Sequence, residues 1–443
     1  MNILIKKGLD LNIVGEIADS AVASLSVKQA AVVPDDFPGF IPKADVKPGD
    51  HVLVGQALAH DKNHPDVKIV APVSGTVADV VRGERRKIER IVVDSDSKME
   101  HVKFDVAAPG DSASLIRLLA ESGLLAKMTQ RPYGIVPNPD VRPRDIFITC
   151  FDSSPLAVDR QFADGDKKYF AAAVKALKQL TDGSVYLCQR AGQGFDNIAD
   201  AETANVAGPH PAGIVGFQIA AIAPINKGEI VWTLDADTLY KIGRLMVDAI
   251  VDTSVVVAVV GGAVSQRGLV TTIEGAPVSD IIAGRLDSAD YHKRIISGNV
   301  LTGEKVEADG FIHCPYRQIT VIPEGDDVDE FMGWASLSTK KMSISPTFFG
   351  RMMHRVFNPD ARVLGGRRAM IMSGLYEKVF PMDIMVEYLI KAINARDIDA
   401  MEKLGAYEVI PEDFALAECI DSSKLPLQQI VREGLEFLRK EVD

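Results

Sequence analysis

Residue type and spacing could do chemistry at three places in this 443-residue chain: two glycine-flanked stretches and one pair of histidines. The first stretch, Arg190-Ala191-Gly192-Gln193-Gly194, follows the strand-forming run Val185 to Cys188. A phosphate-cradling loop occupies that position in a nucleotide-binding α/β unit, with its backbone N–H groups turned toward the anion. A dinucleotide fingerprint needs G-x-G-x-x-G. Gly192 and Gly194 supply the first two glycines, but Asn197 stands at the third position. The strand Ile146 to Cys150 runs on into FDSSPLAVD with no glycine. A tight turn is expected at Arg190 to Gly194 rather than a nucleotide site.

The second stretch reads NVAGPHPAGIVGFQIAAIAPIN, Asn205 to Asn226. Pro209 and Pro211 bracket His210, with Gly208 and Gly213 outside them. Two prolines so placed enforce a non-helical backbone and are expected to present the imidazole beside apolar surface. Such a ring can donate to a quinone carbonyl. The alternative is a rigid turn in which His210 is hydrogen-bonded to backbone. The third place is His60 and His64, spaced H-x-x-x-H. That spacing holds a metal on a helix, but Asn63 and Pro65 argue for a loop and no third ligand is near.

Other chemistry has little footing. No G-x-S-x-G, H-E-x-x-H or P-loop occurs, and the carboxylates show no spacing that singles out an acid–base pair. The four cysteines, Cys150, Cys188, Cys314 and Cys419, form no C-x-x-C. That pattern excludes a disulfide framework and the cysteine signatures of iron–sulfur and zinc sites, and fits reduced thiols in the cytoplasm. Net charge is −12, and the basic runs Arg82 to Arg90 and Arg351 to Arg368 are short and interrupted. Nucleic acid is therefore not an expected partner. An acidic face would suit the Lys/Arg-rich cytoplasmic loops of a membrane partner. MNILIKKGLDL has no signal-peptide core. The longest stretch free of formal charge, Thr203 to Asn226, carries three prolines and three glycines and makes a poor membrane helix. No span is expected.

The elements that would position these residues fall into four units. Hydrophobic content of 47% gives each a core. Residues 1–104 are β-rich: VKPGDHVLVGQAL and VKIVAPVSGTV alternate short apolar runs with turns at Gly49, Gly55 and Gly75. This resembles the β-sandwich that carries biotin or lipoate. The carrier lysine would sit at the hairpin tip AHDKNHPDV, but Lys62 there is flanked by Asp61 and Asn63. A docking module that has lost carrier chemistry is the expectation. Arg82 to Arg90 reads as a solvated hairpin.

Residues 105–254 alternate strand and helix. A helix capped by Asp111 or Ser112 precedes the Pro-rich strap QRPYGIVPNPDVRPRD. Strands follow at Ile146 to Cys150, Val185 to Cys188 and Ile230 to Leu234. Amphipathic helices carry Phe170, Ala173, Val174 and Leu177, then Leu239, Ile242 and Met246, the latter started by Asp235 or Asp237. A Rossmann-like open sheet is expected. Residues 255–375 return to strands, from Val255 to Val260 through Ile319 to Ile322, and suit a small β-grasp-like (SLBB-type) domain. Residues 376–443 are helical: the expected helix begins at Pro381 and carries Met382, Met385, Val386, Leu389, Ile390 and Ile393. Gly405 is a stop, and further helices start near Pro411 and Pro426. Met342, Met352 and Met353, close to Phe348 and Phe349, could form an apolar docking surface. The fold class is thus multidomain α/β and β.

Five segments agree, in order and from end to end, with one family: IKKGLDL at Ile5 to Leu11, APVSGTV, GPHPAG, GRRAMIMSGLYEKVFPMDI and DIDAMEKLGAYEVIPEDFAL. Together they resemble the NqrA family, the A-subunits of the sodium-translocating NADH:quinone reductases, which are bacterial respiratory complexes. Two departures touch thiols. Ala406 stands where the family often has cysteine in LGCLEL, and Asp421 stands where a cysteine is expected after Cys419. The resemblance implies a soluble subunit on the cytoplasmic side of the inner membrane, held there by membrane and soluble partner subunits. It implies a contribution to quinone binding and assembly, with NADH, flavins and iron–sulfur centres on other subunits and no cofactor tightly held here. Gly208, Pro209, His210 and Pro211 are the residues expected near the quinone. The complex would catalyse and the isolated chain would not. The alternatives are a stand-alone nucleotide-binding oxidoreductase, a carrier modified at Lys62, or a non-catalytic docking protein.

Overall fold

A computed structural model describes residues 1–18, 21–106, 111–326, 342 and 356–442. Met352, Met353, Phe348 and Phe349 lie outside the described residues. The Gly-punctuated N-terminal stretch forms two antiparallel sheets. One orders Gln29–Val32, Ile88–Ser95, Gly75–Arg82 and His51–Val52; the other orders Pro42–Ala44, Ala57–Asp61 and Lys68–Val70. Alternate residues such as Val52, Leu58, Ile69, Val77 and Ile91 point between the sheets and are buried, as strand periodicity requires. Gly75 is fixed by contact as well as by turn: at φ +150°, a Cβ there would lie 1.9 Å from the Asp94 carbonyl oxygen. The Arg82 to Arg90 run turns the Gly75–Arg82 and Ile88–Ser95 hairpin. Lys62 sits exposed in the turn after Ala57–Asp61.

The central sheet has six strands in the order Asn2–Leu4, Glu202–Ala207, Val185–Gln189, Asp145–Thr149, Val231–Asp235 and Thr129–Arg131. The first five are mutually parallel and the last is antiparallel. Helices cover both faces, which is why its strands read as continuous apolar runs. Within Asp145–Thr149, Ile146 and Ile148 pack with Phe170, Leu177 and Leu239. Phe147 faces the opposite side, with Val206, Val215 and Ile219. The strap contributes more than a crossing: Thr129–Arg131 closes one sheet edge, pairing Gln130 with Trp232.

A second six-stranded sheet orders Glu304–Val306, Lys293–Ser297, Gln318–Pro323, Ser254–Val260, Gly268–Ile273 and Val22–Ser24. The two outlying N-terminal strands thus join sheets far along the chain: Asn2–Leu4 pairs with Glu202–Ala207 and Val22–Ser24 with Gly268–Ile273. The C-terminal unit is helical, with Val386–Ala395, Ile398–Lys403, Ala415–Ile420 and Leu427–Val442. Its first helix starts five residues after Pro381. Phe380 and Met382 are both buried in the segment before it, while Met385, at the N-cap, is 61% exposed. Burial of those two side chains therefore sets a turn, not a helical period. Gly405, at φ +92°, follows the second helix.

Candidate functional site

The GPHP segment leaves the carboxyl end of Glu202–Ala207 and is fastened to the N-terminus of the chain. Ile5 N–H donates to the Ala207 carbonyl (2.8 Å), Leu9 N–H to the His210 carbonyl (2.7 Å), and His210 N–H to Asp10 Oδ1 (2.8 Å). Glycine is needed on both sides of this seam. A Cβ on Gly208 would meet the Ile5 carbonyl oxygen at 2.2 Å, and one on Gly8 the His210 carbonyl oxygen at 2.2 Å. IKKGLDL and GPHPAG, about 200 positions apart, are therefore one structural feature.

His210 is not presented at a surface; it is 2% exposed. Its Nδ1 lies 3.0 Å from Ser153 Oγ, and that oxygen accepts from Gly213 N–H at 2.8 Å. Its Nε2 is buried and has no partner among the described residues. Burial holds the imidazole below its usual pKa, partly opposed by Asp152 and Asp10. The ring is thus neutral at pH 7.

Beside Ser153 and Gly213 opens a crevice of about 260 Å³. It lies outside the carboxyl ends of Asp145–Thr149 and Val231–Asp235. From the first of these strands the chain proceeds to one side of the sheet, through Val185–Gln189 and Glu202–Ala207, and then returns to the other. Open parallel sheets leave room for ligands at such a switch point, because the two connections depart in opposite directions. Thr149, Phe151, Gly213, Val158, Arg160 and Phe162 line the crevice. Asp235 and Asp237 stand at the helix that starts with Ala236. Arg317, which immediately precedes the Gln318–Pro323 strand of the second sheet, also lines the crevice.

Charge in this crevice is dense and paired. Asp235 caps the Ala236–Asp248 helix by accepting from Thr238 N–H (2.7 Å), and its Oδ2 lies 2.8 Å from Arg317 Nη1. Arg160 pairs with Asp237 and stacks over Phe162 and Tyr240, 4.9 and 4.8 Å from the ring centroids. Asp237 then contacts Lys241 (2.9 Å), Lys241 contacts Glu274 (2.5 Å), and Glu274 takes Lys127. Burial alone would raise Asp237 and Glu274, but Lys241 with Arg317 and Arg160 for Asp237, and Lys127 with Lys241 for Glu274, hold both below the usual carboxylate range. Burial likewise opposes charge on Arg317, yet Asp235 and Asp237 raise its pKa. Asp159 goes the other way, pushed up by burial although it accepts from Asp152 N–H (2.8 Å).

The Arg190 to Gly194 loop is a tight turn, with Gly192 and Gly194 at φ +83° and +96°. Its Gln193 donates to Asp159 (3.0 Å). His60 and His64 lie apart from this crevice: His60 Nδ1 bonds Asp45 (2.6 Å) and His64 Nδ1 lies 3.5 Å from Asp140. No group of three or more metal-capable residues occurs among the described residues. Sequence reasoning took Asp235 and Asp237 for helix caps and missed Asp159, Arg160 and Arg317 as site residues. Arg317 had no signal, because only the docking of the second sheet brings it to the switch point. No helix among the described residues is long and apolar enough to cross a membrane.

Three family models match consecutive parts of the chain: the NqrA N-terminal barrel-sandwich hybrid domain over 3–96, the NqrA second alpha/beta domain over 111–250, and the NQRA C-terminal domain over 256–308. The A-subunit of the Na(+)-translocating NADH-quinone reductase of Rhodopirellula baltica is 37% identical over 99% of this chain and 98% of its own length. Its counterparts in Neisseria meningitidis and Serratia proteamaculans are each 35% identical, over 99% of this chain and all of theirs. An NAD+-reducing [NiFe]-hydrogenase chain covers 74% of this chain, with 66% of its own length matched, at 12% identity and a TM-score of 0.34, too slight a likeness to carry an argument. With the relatives matched from end to end, the chain belongs to the NqrA family, the A-subunits of the Na(+)-translocating NADH-quinone reductases.

Proposed function

We propose that this chain is a soluble, cytoplasmic-side subunit of a Na⁺-pumping NADH:quinone reductase, held to the membrane by partner subunits. It contributes to quinone binding and to assembly. It carries no redox centre of its own; NADH, flavins and iron–sulfur centres reside on other subunits. The observation that carries this reading is the 37% identity across 99% of the chain to the NqrA protein of Rhodopirellula baltica. The four units divide at 1–104, 105–254, 255–375 and 376–443, as a biotinyl/lipoyl-like sandwich, a Rossmann-like domain, a β-grasp-like domain and a helical C-terminus. The strand order of the central sheet supports the Rossmann-like assignment.

The quinone head group binds near Gly208, Pro209, His210 and Pro211. Two observations support this placement: the Nε2 of His210, buried without a partner among the described residues, and the crevice beginning at Gly213, three residues on. His210 reaches the ligand side through Ser153 and acts as a positioning residue.

The test is a mild-detergent pull-down of the tagged chain from native membranes, assayed for Na⁺-stimulated NADH:quinone activity. Co-purifying membrane subunits with that activity are expected. A chain that emerges alone and binds NADH or flavin would establish the second reading, a stand-alone nucleotide-binding oxidoreductase, which the switch-point crevice favours on topology. His210→Ala is expected to raise KM for quinone; unchanged KM in a folded variant removes this histidine from the site.

A further inference from the structure

Exposed apolar side chains are spread unevenly over this molecule. Of the fourteen large ones that stand out into solvent among the described residues, five fall between Val356 and Met372: Val356, Val363, Leu364, Ile371 and Met372. Val363 is 68% and Ile371 55% exposed. Single exposed apolar residues are ordinary on a protein surface; a cluster of them marks a contact.

The segment that carries them, residues 358–375, is a strap with neither helix nor strand. Its backbone is fastened on the inner side. Ala361 N–H donates to the Pro323 carbonyl (3.1 Å), Arg368 N–H to the Ser423 carbonyl (2.9 Å), and the N–H groups of Ser373 and Gly374 to Glu387 Oε1 (3.0 and 2.8 Å). Ser423 and Glu387 are buried. Between these anchors, a Cβ added to Gly365 or Gly366 would meet nothing within 4 Å, so this part of the strap stands clear of the body.

The strap's charge is the reverse of the chain's. The whole carries −12, yet Ala361 to Tyr376 holds three arginines and no acid. Arg362 is paired with Asp360 (2.6 Å). Arg367 and Arg368 make no ion pair among the described residues, and they lie between the exposed pairs Val363-Leu364 and Ile371-Met372. The other basic run, Arg82 to Arg90, contains Glu84 and Glu89 and no large exposed apolar side chain. A surface that covers the strap must therefore offer anions and hydrocarbon at nearly the same depth. The headgroup–acyl boundary of an anionic bilayer does so. The acidic remainder of the chain is repelled by such a surface, which favours approach by the strap.

Resting on the reading above for a membrane close at hand, we propose that the strap docks on an anionic phospholipid surface, with Arg367 and Arg368 on headgroup phosphates and Val363, Leu364, Ile371 and Met372 in the acyl boundary. This contact adds to the hold of partner subunits and fixes which face of the chain looks at the membrane.

The experiment is sedimentation of the full chain with vesicles of phosphatidylglycerol and phosphatidylethanolamine, against vesicles of phosphatidylcholine. The wild type is expected to bind the first and not the second, and to come off as salt is raised. Arg367→Gln/Arg368→Gln should weaken binding about thirtyfold, each arginine near an anionic surface being worth about fivefold. Ile371→Trp gives a second readout: its emission should shift to the blue on phosphatidylglycerol vesicles and be quenched by lipids brominated on their acyl chains. Equal binding to both kinds of vesicle, equal binding by the folded double variant, or a tryptophan emission that vesicles leave unmoved overturns the proposal. So does loss of the double variant from a delipidated complex in detergent, because a partner subunit then covers the strap; the subunit reading stands in that case. A wild-type chain that brings down no reductase yet binds phosphatidylglycerol through Arg367 and Arg368 ends the subunit reading and leaves the lipid contact standing.

Discussion

Arg131 holds the helical C-terminal unit to the edge of the central sheet, and removing it should show how much that junction is worth. Its guanidinium is fully buried, as is the Asp413 side chain. Nη1 donates to Asp413 Oδ2 at 2.8 Å, and Nη2 reaches Asp413 Oδ1 at 3.2 Å and Glu412 Oε1 at 3.0 Å. Burial alone would lower the arginine's pKa, but Asp413 and Glu412 raise it. Arg131→Met leaves the Asp413 carboxylate buried without its counter-charge. Breaking such a pair costs about 3–5 kcal/mol, more than any loss of apolar packing here. The double variant Arg131→Met/Asp413→Asn should recover about 2 kcal/mol of that loss, because asparagine still accepts from Ile410 N–H (2.8 Å) and leaves no charge to desolvate. The assay is urea unfolding followed by far-UV circular dichroism, reading the first transition because a multidomain chain is not two-state. A loss below about 1 kcal/mol for Arg131→Met, or a double variant no more stable than the single one, refutes the reasoning.

Gly216→Ala should disturb the same junction from the other side, since its Cβ would lie 2.3 Å from Asp413 Oδ1 and 2.6 Å from Arg131 Nη1. Thermal unfolding should drop by an amount that shrinks in the Asp413→Asn background. Gly208→Ala should cost at least about 1–3 kcal/mol, because φ is +140° and the new Cβ meets the Ile5 carbonyl; wild-type stability would show that the N-terminal seam is dispensable. His313 lies 2.7 Å from Asp36, and their hydrogen bond raises its pKa above 6.5 despite burial, with Glu304 and Asp35 adding to the effect. A histidine raised on folding binds its proton more tightly when native. Its contribution is therefore complete below pH 6.5 and is lost as pH rises through the folded value. His313→Gln should flatten that part of the stability–pH curve, and an unchanged slope from pH 6 to 8 would count against the pair. His210 has the opposite sign. Its folded pKa lies below 6.5, so stability should fall as pH drops from 6.5 toward that value, and its NMR titration midpoint should sit on the acid side of a free histidine.

Periodicity carried a good deal of this protein. Short apolar runs between the turns at Gly49, Gly55 and Gly75 marked the first unit as β-rich, and its resemblance to a biotin or lipoate carrier suggested a sandwich; the structure buries Val52, Leu58, Ile69 and Val77 between two sheets. The runs Ile146 to Cys150 and Ile230 to Leu234 marked strands of an open α/β sheet, and the structure places strands at Asp145–Thr149 and Val231–Asp235. Asp111, Asp235 and Asp397 all cap helices, each accepting from an N–H three residues on. Those are local effects, fixed within a few residues. The helix placed at Pro381 failed because burial of Phe380 and Met382, a tertiary matter, overrode a sound local signal.

What spacing could not reach are the partners separated by long stretches of chain. Asn2–Leu4 and Val22–Ser24 belong by sequence to the first unit, yet they complete sheets built about 200 or more residues later. The GPHP segment was visible as chemistry, but only the fold shows that Leu9 and Asp10 clasp it and that its imidazole is buried. Arg317 meets Asp235 because two sheets dock at a switch point, and Arg131 meets Asp413 across 282 positions. Hydrophobic pattern and capping are written residue by residue; which buried charge faces which is decided only when separate units close on one another and water leaves between them.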